Sequence, residues 1–66
     1  MTITINGKNK RFDQGPSLGK LIESLCPKPQ HVVAELNGQI IKRQEWTKRN
    51  LCDGDSLELV TFVGGG

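Results

Sequence analysis

Aromatic residues are scarce in this 66-residue chain: there is no tyrosine, one tryptophan and two phenylalanines. Proteins that hold single-stranded nucleic acid stack bases on aromatic platforms set among basic residues, and neither ingredient is concentrated here. Nine Lys and Arg stand against seven Asp and Glu, a formal net charge of +2. The pairs Lys10-Arg11, Lys42-Arg43 and Lys48-Arg49 are dispersed along the chain. So mild a balance speaks against nucleic acid; it reads as solvated surface charge, with a docking edge for an acidic protein partner as the alternative. Histidine is scarcer still. His31 is the sole one, with no second nitrogen or sulfur ligand at metal spacing, so it reads as a surface or strand-end residue and no metal site is expected. Cys26 and Cys52 lack the Cys-x-x-Cys spacing of a redox pair. Either would need an oriented base to act as a nucleophile, and one histidine would have to serve both. They read as free thiols, which suits a cytoplasmic protein. No segment reads as a secretory signal, and no apolar run approaches the ~20 residues that span a membrane. No lysine follows a glycine cluster ahead of a helix, so a phosphate loop is excluded. The chain is not read as an enzyme.

What remains is a small domain patterned for a sheet and one helix. A chain of this size buries only about 60% of its unfolded surface, enough for one thin core layer and no deep cleft. Met1-Thr2-Ile3-Thr4-Ile5 alternates with period two, and Asn6-Gly7 signals a tight hairpin turn. The return strand, Lys8 to Asp13, is polar apart from Phe12 and reads as an edge. Gln14-Gly15-Pro16 turns the chain into a helix with Ser17 at its N-cap. Leu18, Leu21, Ile22 and Leu25 form one helical face, and Pro27 and Pro29 end the helix near Cys26. Gly19 weakens that helix but permits close approach to the sheet.

Val32 to Leu36 is a strand with Val32, Ala34 and Leu36 inward, and Asn37-Gly38 turns it into the short strand Gln39 to Lys42. Arg43 to Asn50 reads as a helical turn or two, with Trp46 and Leu51 covering one end of the core. Asp53-Gly54-Asp55 is too short for a calcium loop, and its carboxylates, with Glu58, read as turn and surface residues. Leu57 to Phe62 is the last strand, with Leu57 and Leu59 on one face. The order is β-β-α-β-β-(short helix)-β. The two most apolar strands, first and last, are placed as a central parallel pair. This is an α+β fold of the β-grasp type: a mixed four- to five-stranded sheet with one main helix on one face.

Two features beyond the core carry the functional reading. Val60 and Phe62 fall on the face opposite Leu57 and Leu59. An apolar side chain there is a contact for a protein partner, with a return of Phe62 to the core as the alternative. The chain then ends Val63-Gly64-Gly65-Gly66. Residues 1–62 are therefore read as the domain and 63–66 as a flexible tail. Four extended residues reach roughly 13 Å. Glycines at 64 to 66 have no Cβ to restrict the backbone angles that a narrow channel demands. On these grounds the tail is either an inert end or a terminal carboxylate delivered into another protein's site. A free carboxylate is a poor electrophile; adenylation converts it to a mixed anhydride, from which sulfide or persulfide displaces AMP.

Four blocks carry a family likeness: Ile3-Thr4-Ile5-Asn6-Gly7, Val33-Ala34-Glu35-Leu36-Asn37-Gly38, Asp53 to Thr61, and Val63-Gly64-Gly65-Gly66. Over essentially its whole length the chain resembles the bacterial thiamine-biosynthesis sulfur carrier proteins, small ubiquitin-like proteins. The last two blocks are the specific part. The resemblance implies that Gly66 is adenylated by an ATP-dependent enzyme of the ubiquitin-activating type. It then becomes a thiocarboxylate (a C-terminal 1-thioglycine) with sulfur from a cysteine desulfurase, and delivers that sulfur to thiazole synthase. Gly64 and Gly65 would thread the partner's channel, and Val60, Phe62 and Val63 would contact it. The chain would be a monomer when free, with no cofactor of its own, the ATP belonging to the partner. Lys42 stands where many members have proline, and Val32-Val33-Ala34 where many have Val-Ala-Val. The alternatives are a sulfur carrier for molybdopterin synthesis, a protein modifier joined to lysines through the same tail, and an interaction domain with an inert end.

Overall fold

The structure, a computed structural model, describes residues 1–62. Its elements are β1 (Thr2–Ile5), β2 (Lys8–Arg11), α1 (Leu18–Leu25), β3 (Val32–Leu36), β4 (Gln39–Ile41) and β5 (Ser56–Thr61). Short 3-10 turns occupy Pro29–His31 and Arg43–Lys48. The order is the expected one, with the first 3-10 turn as an addition. Both hairpins close as the Asn-Gly pairs require. Asn6 and Gly7 have φ of 50° and 82°, and Asn37 and Gly38 have 51° and 86°. Positive φ at both central residues matches the right-handed twist of the flanking strands.

The five strands form one sheet in the order β2-β1-β5-β3-β4. β1 and β5 run parallel through Thr4↔Ser56 and Ile5↔Leu57. β5 pairs antiparallel with β3 from Leu57↔Leu36 to Thr61↔Val32. The hairpins β1–β2 and β3–β4 lie on either side. These pairings give β2 and β3 the same sense, so α1 is the crossover between them, passing over β1 and β5. This is the β-grasp arrangement.

α1 begins where Ser17 Oγ accepts the Lys20 N–H (3.2 Å) and ends where the Cys26 N–H bonds Ile22 O (2.8 Å). It lays Leu18, Leu21 and Ile22 on the sheet face formed by Ile3, Ile5, Ala34, Leu36 and Leu57, all buried. Leu25 belongs to the same stripe but is exposed in the last turn. Trp46 and Leu51 close one end of the core as expected, and the Trp46 indole N–H donates to Ile41 O at 3.0 Å, so its one polar atom is satisfied.

The expectation for Gly19 needs correcting. A Cβ built on it would lie 3.4 Å from the Trp46 carbonyl carbon and 3.5 Å from Thr47 N. The surface it lets in is the Arg43–Lys48 turn, with which α1 packs, and not the sheet. Gly15 is the stricter position, since a Cβ there would sit 2.6 Å from Leu51 O. That closeness follows from strand-like pairing of the two connections, with Leu18 N–H to Arg49 O (2.7 Å) and Leu51 N–H to Pro16 O (3.1 Å). Among the described residues no helix is long and apolar enough to cross a membrane.

Candidate functional site

One face of the sheet is covered by α1; the other is open, and β5 crosses its middle. The register fixes which side chains share that open face. Val60 stands opposite Val33, and Glu58 opposite Glu35, which in turn faces Ile40 of β4. Val60 is 60% exposed, Ile40 69% and Val33 38%. These apolar groups form no part of the core, and they lie side by side on neighbouring strands. Phe62 continues the same face just beyond β5. It is 44% exposed, and its ring stacks on His31 with centroids 5.6 Å apart and planes inclined by 29°. Its N–H bonds His31 O at 2.9 Å. Phe62 is therefore held at the rim of the open face, outside the core. His31, read as a strand-end residue, stands at that rim as the ring's support.

β5 is held by more than its ladders. β1 stops pairing with it after Ile5↔Leu57 and an Asn6 N–H to Leu57 O bond of 2.9 Å. From there the Asn6 side chain continues the work of a strand. Its Oδ1 accepts the Leu59 N–H at 2.7 Å and its Nδ2 donates to Leu59 O at 3.3 Å. On the opposite flank the Asn37 Oδ1 accepts the Ser56 N–H (2.9 Å), and its Nδ2 donates to Asp55 Oδ1 (3.0 Å). Asp55 Oδ2 accepts the Cys52 N–H (2.8 Å) and Asp53 Oδ1 the Thr2 N–H (2.6 Å). The carboxylates of the Asp53-Gly54-Asp55 turn thus bind backbone, as expected of turn formers. The two asparagines do more than was read from them. The Asn-Gly signal predicts the backbone of the turn, while the use of the side chain depends on which strand lies next door.

Among the described residues no catalytic constellation assembles. Cys26 is half-buried and Cys52 exposed, both free. Among the described residues no three His, Cys, Asp or Glu side chains come together to hold a metal. A depression of about 280 Å³ on the helix side is lined by Gly19, Glu23, Pro29, Arg43, Trp46 and Thr47 among others. It contains no nucleophile paired with a base. Val63, Gly64, Gly65 and Gly66, singled out in the sequence for tail threading, partner contact and thiocarboxylate chemistry, lie outside the described residues. What the structure presents is the platform from which they follow: a central strand, an open apolar face and a ring at its rim.

Comparison with known proteins gives this platform a family. Residues 3–66 match the family model described as the ThiS family. A sulfur carrier protein ThiS of Bacillus subtilis is 35% identical over 66 residues, covering 97% of this chain and 98% of that protein. The crystal structure of a thiamine biosynthesis protein (ThiS) from Geobacter metallireducens superimposes with a TM-score of 0.85 at 32% identity, covering all of both chains. A thiazole synthase of Paramagnetospirillum magneticum is 32% identical over 66 residues, which is all of this chain but 20% of that enzyme. The chain thus spans about a fifth of the thiazole synthase that it matches. With the match running from the first strand through the terminal glycines, and the same fold in a solved relative, this chain belongs to the ThiS family.

Proposed function

We infer that this chain is a sulfur carrier for thiazole formation in thiamine biosynthesis, with the Gly66 carboxylate as its working group. An adenylating enzyme of the ubiquitin-activating type would join that carboxylate to AMP, releasing pyrophosphate from ATP. The persulfide sulfur of a cysteine desulfurase, reduced to sulfide by thiols that are themselves oxidised to a disulfide, would then attack the carbonyl carbon and expel AMP, leaving the terminal –C(O)S⁻ of 1-thioglycine. Thiazole synthase would receive the sulfur. Residues 1–62 act as the handle in this reading and 63–66 as the tail. Gly64 and Gly65 thread the partner's channel, while Val60, Phe62 and Val63 meet its surface.

The observation that carries the reading is the family match through residue 66, joined to a fold whose last described strand, β5, is the central one and ends at Thr61. Thiazole synthase as the receiving enzyme draws support from the P. magneticum protein, where a stretch similar to this entire chain forms part of a thiazole synthase polypeptide. The experiment is intact-mass analysis after incubation with the adenylating enzyme, ATP and a sulfur source. Replacement of one oxygen by sulfur in the wild-type chain is the expected result. An unchanged mass refutes the reading. Attachment of the chain to other proteins through Gly66 redirects it to a protein modifier.

A further inference from the structure

The main-chain groups of β5 alternate in direction. Phe62 donates its N–H to His31 O on the β3 side, whereas Leu57 O accepts the Asn6 N–H on the β1 side. Strand geometry therefore turns the peptide groups of Glu58, Val60 and Phe62 toward β3, and those of Leu57, Leu59 and Thr61 toward β1. β1 pairs no further than Ile5↔Leu57, so Leu59 meets the Asn6 side chain in place of a strand. A primary amide carries the same kinds of donor and acceptor as a peptide unit, and Asn6 uses both. Its Oδ1 accepts the Leu59 N–H at 2.7 Å and its Nδ2 donates to Leu59 O at 3.3 Å. The turn alone does not call for this residue. Its φ of 50° is as open to Asp or Gly, and neither side chain supplies a donor and an acceptor together when Asp is ionised.

Adenylation needs the Gly66 carboxylate about 3–3.5 Å from the phosphorus that it attacks. That carboxylate lies seven residues beyond Leu59. Each residue released from a strand lengthens the reach of the chain beyond it by about 3.3 Å, as much as the whole contact distance. The point at which the chain leaves the sheet must therefore be fixed to one residue. The β3 ladder alone can open pair by pair from Thr61↔Val32; a bond to Leu59 from the other flank opposes that opening. Resting on the sulfur-carrier reading above, we propose that Asn6 is a positioning residue for adenylation: its amide fixes Leu59 and so sets how far the Gly66 carboxylate extends into the enzyme's site. In the free chain Val60 and Phe62 take their main-chain bonds from the β3 side and keep them without Asn6, so its loss falls on the reacting geometry and not on docking.

The test is ATP–pyrophosphate exchange by the purified adenylating enzyme, followed against the concentration of the chain to give kcat and KM. Asn6→Gly keeps the turn and loses both bonds to Leu59; Asn6→Asp keeps the turn and an acceptor for the Leu59 N–H. Gly15→Ala is the control for general destabilisation. It strains the fold beside Met1 and Leu51, next to the start of β1, and parallel pairing puts that at the end of the sheet opposite to the one from which β5 leaves. All are assayed at a temperature at which thermal melts show them folded. In Asn6→Gly kcat should fall about tenfold with KM within about twofold of wild type, as for a loss of reacting geometry after binding. Asn6→Asp should stay within about threefold of the wild-type kcat, and Gly15→Ala should match wild type. A kcat for Asn6→Gly within about threefold of wild type overturns the proposal. So does a raised KM at unchanged kcat, which would make Asn6 a docking group. An equal fall in Gly15→Ala overturns it in favour of general stability, and an Asn6→Asp no better than Asn6→Gly removes the bond to the Leu59 N–H as the cause. A wild-type chain that supports no exchange and takes up no sulfur overturns the carrier reading itself, whereas full exchange by both wild type and Asn6→Gly overturns this assignment alone.

Discussion

Asn6 performs two separable jobs, and separating them tests how the end of β5 is held. It adopts φ of 50°, in the left-handed region, and its side chain bonds both backbone groups of Leu59. Replacement by Ala removes both. The left-handed backbone costs an ordinary residue about 1–2 kcal/mol, and each lost hydrogen bond about 0.5–1.5 kcal/mol. Asn6→Ala should therefore destabilise by about 2–5 kcal/mol. Asn6→Gly keeps the backbone free to turn and loses only the bonds, for about 1–3 kcal/mol. With a urea slope near 1 kcal/mol/M for a domain this small, the glycine variant should unfold roughly 1–3 M earlier than wild type, and the alanine variant earlier again. Amide exchange supplies the local readout. Leu59 N–H should exchange faster in Asn6→Gly by more than the global loss explains, because its acceptor has gone. An unchanged urea midpoint in Asn6→Gly would mean that water replaces the asparagine without cost, and that the side chain is no part of the strand's anchorage.

Two glycines should respond oppositely to the same methyl group. Gly15→Ala forces a Cβ to 2.6 Å from Leu51 O, a backbone atom that cannot swing away, and should cost about 1–3 kcal/mol in a denaturant titration. Gly19→Ala meets its neighbours at 3.4 Å and beyond and gains up to about 1 kcal/mol of helix propensity, so its melting temperature should stay level or rise; a large drop would show a packing constraint that those distances do not contain. Phe62→Ala removes a ring that is 44% exposed and should lower stability by less than the 3–5 kcal/mol typical of a buried Phe, while affinity for the adenylating enzyme falls by a larger factor; the reverse ranking would place Phe62 in the core.

The elements were legible because each is written in local residues. The alternation of Ile3 and Ile5, the helical face of Leu18, Leu21 and Ile22, and the two Asn-Gly turns decide their own conformation. The outward position of Val60 and Phe62 followed from period two alone. The open face was only half legible. Period two also turns Val33 and Glu35 outward, but nothing local shows that Val33 meets Val60 or that Glu35 meets Glu58. Those contacts depend on the β3–β5 register, which joins residues more than twenty positions apart. The same limit explains Gly19. A glycine on a helix announces close approach, while the approaching element is a long-range fact, here the Arg43–Lys48 turn. The roles of Asn6 and Asn37 toward β5 were hidden for this reason too.

The placement of β5 bears on what its continuation can do. A tail continuing from an edge strand such as β4, which is three residues long and paired on one side, could be drawn into a partner only by risking separation of that strand from its single neighbour. β5 has neighbours on both sides: a five-pair ladder to β3 and a parallel pairing to β1. Where β1 ends, the Asn6 amide takes over at Leu59, and where the β3 ladder ends, the Phe62 N–H still bonds His31 O. Leu57, wholly buried, fixes the strand to the core beneath it. Tension applied beyond Phe62 is thus shared by interactions on both flanks, which load together and need not break one at a time. Opening of the last residues of β5 should accordingly cost nearly as much as global unfolding up to Leu59, and less beyond it. In amide exchange, a sharp fall in protection between Leu59 and Phe62 is the expected result. A gradual fall beginning at Leu57 would show that the asparagine clamp does not hold the strand under native conditions.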